Sequence, residues 1–158
     1  MSSLRGLVRR VGPGPATPPL DDAFIAYVRE RLEPVLVPSG FVFSRADAGV
    51  HRGGRTTAVR FAVDAEPFVT RYPGVVGHLR SEGSALELWT ELDVDRGSVS
   101  FRIEDWQLPA LLAAVRAGPG APPRRRRTDE TMGLIGWDAA LDRGVELLRR
   151  LFDAAAPR

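Results

Sequence analysis

Between Phe41 and Glu104 several separate segments carry apolar residues at every second position, and this constrains the fold more than any other feature of the chain. Val59, Phe61 and Val63 alternate with Arg60, Ala62 and Asp64. Leu86, Leu88 and Leu92 alternate with Glu87, Trp89, Glu91 and Asp93, and Val99, Phe101 and Ile103 with Ser100, Arg102 and Glu104. A period of two puts alternate side chains on opposite faces of a strand and cannot make one face of a helix. Three strands are therefore expected over Thr57–Asp64, Leu86–Val94 and about Val99–Glu104, and Phe41–Arg45 adds a fourth. His51-Arg52-Gly53-Gly54-Arg55 and Asp95-Arg96-Gly97 are the turn signals between neighbours. Clean alternation implies one buried and one wetter face, as in an antiparallel sheet. Phe61 and Phe101, mid-strand on the apolar side, are expected in the core.

Helices flank this block. Asp21 or Asp22 can cap a helix carrying Ile25, Val28, Leu32 and Val35 or Leu36 on one stripe. Pro34 is expected to break or kink it, and Pro38-Ser39-Gly40 to end the segment. Leu108 to Ala117 is a second helix, opened by Pro109 and closed by Gly118. A third runs from Trp137 to Ala155, with Trp137, Leu141, Leu148, Leu151 and Phe152 on its apolar side. Trp106 and Trp137 read as helix-opening core residues. The expected class is α+β, a two-layer sandwich of a four-stranded antiparallel sheet with helices packed on one face. Residues 65–85, broken by Pro67, Pro73, Gly74 and Gly77, read as a long loop that can hide a short helix. Residues 1–19 read as a flexible Pro/Gly/Arg arm. Residues 20–158 read as one domain, with an Arg-rich linker at 118–127.

Composition removes several function classes. The chain has 158 residues and no Cys, which excludes disulfide scaffolds, Cys-ligated zinc, iron–sulfur clusters and a Cys nucleophile. No apolar run reaches the roughly 18 residues needed to span a bilayer. The basic start, Met1 to Arg10, is not followed by the apolar core of a secretory leader, so a cytoplasmic protein is expected. All 22 basic residues are Arg, a bias read as the codon usage of a GC-rich bacterial genome. Charge is unevenly placed. Residues 1–20 carry three Arg and residues 108–127 five, neither with an acid, while residues 21–107 carry 10 Arg and 14 acids.

No His-Glu-x-x-His, Gly-x-Ser-x-Gly or phosphate-loop motif occurs. The two His, His51 and His78, stand far apart in Gly-flanked loops; a metal site would need them to converge with Asp47 or Glu82. No catalytic residue, metal or cofactor is assigned. Glu87 and Glu91 share a strand face, and Arg60 and Arg102 on the matching faces of other strands suit cross-strand ion pairs. Trp89 sits among them, either packed under Arg stems or presented as an anchor, since Trp is enriched at binding hot spots. Glu87, Trp89 and Glu91, with Tyr72 from the irregular stretch, are the candidate protein-binding residues. The run Arg124, Arg125, Arg126 and Arg127 is the candidate site for phosphate or an acidic partner.

The segment from Phe24 to Leu36, followed by Pro38-Ser39-Gly40-Phe41-Val42-Phe43, resembles a family of small bacterial domains of unknown function. In these a helix leads through a Gly-Phe step into an antiparallel meander, and helices close the chain. Some relatives of that shape look like immunity proteins, which neutralise toxins. The resemblance covers roughly residues 22–117 and transfers no active-site residue. The expectation is a non-enzymatic domain that binds another protein, of an immunity or phage-assembly type. An accessory nucleic-acid binder using the Arg segments is the second expectation, and a small hydrolase-like enzyme the third. No membrane partner is expected.

Overall fold

The computed structural model describes residues 18–51, 54–79, 83–93, 98–118 and 137–157. The expected arm therefore lies almost wholly outside the described residues, as does the run Arg124–Arg127.

The first helix, α1, spans Pro18–Leu36. It starts before the two Asp because Pro is tolerated in a first turn, where its missing N–H would be unpaired anyway. Phe24, Tyr27, Val28, Leu32, Val35 and Leu36 are buried along one stripe. Pro34 does not break the helix; it lies in the last turn, with only two helical residues after it. The chain then tightens into a 3-10 turn, Val37–Ser39. Gly40 follows at φ 94°, a left-handed conformation that costs a residue with a side chain about 1 kcal/mol or more. Its N–H reaches Val37 O at 2.9 Å, and Phe41 N reaches Leu36 O at 3.0 Å. This closure drops the fully buried Phe41 into the core and aims the chain into the sheet.

The strands are β1 (Val42–His51), β2 (Gly54–Asp64), β3 (Ala85–Asp93), β4 (Ser98–Ile103) and β5 (Trp106–Gln107). They form one antiparallel meander in sequence order. The sheet thus has five strands rather than the expected four. Glu104, at φ 54°, turns the chain so that Trp106 pairs with Ile103 and Gln107 with Arg102. Trp106 accordingly sits in a strand, not at a helix start. It is buried, and its Nε1 donates to His78 O at 3.0 Å. The strand β1 is also longer than expected. Its second half, Ala46-Asp47-Ala48-Gly49, carries residues poor in strand propensity, and pairing with β2 overrides that.

The stretch expected as a loop holds a short helix, α2 (Ala65–Arg71), and a 3-10 turn, Pro73–Val75. Pro67 falls in the first turn of α2, where Pro is permitted. Phe68, Tyr72, Val75 and Leu79 are buried beneath this segment. Helices α3 (Leu108–Ala117) and α4 (Trp137–Ala155) match their expected spans. Among the described residues no helix is long and apolar enough to cross a membrane.

The inner sheet face carries Val59, Phe61, Val63, Leu86, Leu88, Leu92, Val99, Phe101 and Ile103, all buried. Leu111, Leu112, Val115, Leu141, Leu148, Leu151 and Phe152 of α3 and α4 join the same core. The result is a two-layer α+β sandwich. A polar clasp also joins α1 to α4. The Tyr27 hydroxyl donates to Asp138 and accepts from Arg31 Nη1 at 2.9 Å, and Arg31 pairs with Asp142.

Burial, reinforced by the hydrogen bond to Asp138, pushes the Tyr27 hydroxyl from 10.0 up to about 12. Its neutral form is therefore favoured by folding. This contribution is complete below pH 10 and is lost as pH rises from about 10 to about 12. Tyr27→Phe should remove that part of the alkaline slope, read as the unfolding midpoint of wild type and variant between pH 9 and pH 12. Parallel curves for the two proteins would mean that the clasp does not form.

Candidate functional site

The face of the sheet opposite the helices is built by the same alternation that fills the core. Glu87, Trp89, Glu91 and Asp93 point away from the helices because Leu86, Leu88 and Leu92 point toward them. The register then decides what surrounds Trp89. Arg60 of β2 lies directly across from it on one side, and Arg102 of β4 on the other. The Arg60 guanidinium carbon stands 3.6 Å from the indole centroid and that of Arg102 4.1 Å. The indole thus carries two cations from the two flanking strands, each attracted by the ring quadrupole.

Carboxylates hold the rims of these cations. Arg60 Nη2 lies 2.8 Å from Asp47 Oδ2 and Nη1 3.9 Å from Glu87 Oε1. Arg102 Nε donates to Glu91 Oε1 at 2.9 Å, and its Nη1 to Glu104 O at 2.6 Å. Glu104 Oε2 in turn accepts from Glu87 N at 3.2 Å. Burial raises the Glu104 carboxyl above its ordinary value, and the nearby Glu87 and Asp105 charges add to this. Arg45 faces Arg60 across the β1–β2 pair, and Asp47 answers both, lying 3.6 Å from Arg45 Nε.

The depth of the charges differs by sign. The Arg60 and Arg102 side chains, beside the indole, are 14% and 19% exposed. Those of Asp47, Glu87 and Glu91 are 46%, 32% and 27% exposed. The cations are sunk and the carboxylates stand above them. The most exposed charges at the centre of this face are therefore carboxylates, around an indole flanked by the two guanidinium groups.

The structure brings together three of the four candidate protein-binding residues, Glu87, Trp89 and Glu91. It removes the fourth. Tyr72 is buried, its hydroxyl 2.8 Å from Ser39 Oγ and its ring stacked on Phe152 at 5.0 Å. The segment carrying it folds onto the core instead of looping over the surface, so Tyr72 is a packing residue. The pairing of Arg60 and Arg102 with strand carboxylates follows the expectation from alternation. Asp47 and Glu104 were missed as members of this set. Asp47 would have shown itself had the alternation been followed through Ala46, Ala48 and Gly49. Glu104 falls on the outward side of the β4 alternation, but it reaches Glu87 N from the turn after the strand, a contact that alternation does not show. His78 is half-buried with its ring 6.1 Å from that of Trp106. Among the described residues no three His, Asp or Glu side chains are grouped as metal ligands.

Comparison with protein-family models, curated proteins and solved structures finds no match to this chain. Among the described residues the fold is a two-layer α+β sandwich with its helices on one face of the sheet.

Proposed function

We propose that this domain is a non-enzymatic protein-binding module that docks through the open face of its sheet on a basic surface of another protein. The observation that carries this reading is the sinking of Arg60 and Arg102 beneath Asp47, Glu87 and Glu91, with Trp89 at the centre. Trp and Arg are the residue types that most often anchor interfaces, and ion pairs already set in place cost little further ordering on binding. Complementary charge on the partner would speed association and fix register. A toxin is the kind of partner that the family resemblance implies, and a phage-assembly component is the other kind expected. Polyanions suit this face poorly. Arg45, Arg60 and Arg102 are outnumbered there by Asp47, Glu87, Glu91 and Asp93.

The test is capture of a partner from the source cell by the immobilised full chain, followed by affinity measurement with purified partner. Glu87→Arg with Glu91→Arg should weaken binding about tenfold or more, chiefly through association rate at low salt. Arg149→Glu with Arg150→Glu, on the exposed side of α4, should leave it unchanged. A partner that binds the sheet-face variant as tightly as wild type refutes the reading. So does a chain that holds only nucleic acid and releases it steeply with salt.

A further inference from the structure

The strand β1 is the outermost strand of the sheet. It pairs with β2 on one side, and among the described residues no strand pairs with the other. An edge ten residues long leaves alternate backbone N–H and C=O groups without ladder partners. Proteins protect such edges with Pro, Lys, short length or bulges. This edge has no Pro and no Lys, and its bulge falls near one end, between Phe43 and Arg45. Beyond the bulge the strand includes the small residues Ala46, Ala48 and Gly49. Ala48 and Gly49 are exposed, and a Cβ placed on Gly49 would meet nothing within 4 Å.

The charges on this edge favour one occupant. Arg45 and Asp47, with side chains 61% and 46% exposed, stand two positions apart on the same face. Opposite signs at that spacing make an antiparallel strand complementary to itself. With Ala46 opposite its own counterpart, Arg45 of each copy faces the partner's Asp47 twice over. Moving the centre to Asp47 would set two carboxylates directly opposite, which disfavours pairing. We propose that β1 is a dimerisation edge that pairs antiparallel with β1 of a second copy, about a two-fold axis through Ala46. That axis is perpendicular to the sheet and makes the contact isologous. It keeps the helices of both copies on one side and joins their Trp89 faces into one continuous surface.

Sedimentation of the full chain over a range of concentrations should show a reversible monomer–dimer equilibrium. Arg45→Asp sets like charges against the partner's Asp47 and should weaken the dimer about tenfold. It leaves the monomer intact, because residue 45 faces Arg60 within its own sheet; circular dichroism checks this. Asp47→Arg should weaken the dimer similarly, and the double exchange Arg45→Asp with Asp47→Arg should restore it. The chain has no Cys, so Ala46→Cys should form an intermolecular disulfide under mild oxidation faster than Ala48→Cys. A wild-type chain that stays monomeric at every concentration overturns the proposal. An Arg45→Asp variant that dimerises as tightly as wild type, or faster crosslinking at position 48, does so too.

Discussion

Replacing Phe101 with Ala should cost about 3–5 kcal/mol, measured as the loss in unfolding free energy in denaturant. The ring is fully buried at the middle of β4, and α4 crosses directly above it. The crossing is made at Gly144. A Cβ at that position would lie 2.5–2.7 Å from the ring atoms of Phe101, closer than side chains approach one another. Gly144→Ala therefore sets two effects in opposition. Helix propensity favours Ala by about 1 kcal/mol, while forcing the ring aside costs about 1–3 kcal/mol. The collision should win, for a net loss of up to about 2 kcal/mol. In the Phe101→Ala background the space is vacant and the same change should become neutral or stabilising. The two positions should thus couple by about 1–3 kcal/mol in a double-mutant cycle. Additive effects would mean that α4 does not rest on Phe101.

Phe152→Ala should be comparably severe, about 3–5 kcal/mol. Phe152 gathers rings from three other pieces of chain. It stacks on Tyr72 at 5.0 Å and lies 6.4 Å from both Phe41 and Phe68. Phe41 belongs to the Gly-Phe step, Phe68 to α2, and Tyr72 to the link between α2 and the 3-10 turn. Deleting the Phe152 ring leaves a cavity that none of these segments can close alone. A finer variant separates packing from hydrogen bonding. Tyr72→Phe keeps the stack but leaves the buried Ser39 hydroxyl without its partner, at a cost of about 1–3 kcal/mol. Adding Ser39→Ala removes the orphaned group and should recover most of that loss. If Tyr72→Phe alone is harmless, the hydroxyl pair contributes nothing and the site is held by the rings.

The legible part of this chain is the part governed by period. The three long alternating segments place Val59, Phe61, Leu88, Val99 and Phe101 on one face without reference to any other residue, because a strand's side chains alternate wherever it lies. The long stripe of α4 is legible for the same reason, and Pro109 and Gly118 mark the ends of α3 through purely local backbone chemistry. From the facing carboxylates and Arg residues, cross-strand ion pairs on the outer face could also be anticipated.

What the sequence could not decide depends on which strand lies beside which, and in what register. A slip of one residue would send Trp89 to the other face, and a slip of two would part it from Arg60 and Arg102. Only the assembled sheet sinks those two cations onto the indole and leaves Asp47, Glu87 and Glu91 standing above them. Tyr72 went the other way. Its flanking Pro and Gly residues look like a surface loop, yet the segment folds inward because Phe41, Phe68 and Phe152 offer it an apolar seat. That seat is made by residues up to 80 positions away in sequence, and no local pattern records it. The strand β1 runs on through Ala46, Ala48 and Gly49 because β2 supplies hydrogen bonds that the residues' own propensities do not favour. Periodicity is a local property and survives in the sequence, whereas register and burial are set by contacts between distant segments and exist only once the chain has closed on itself.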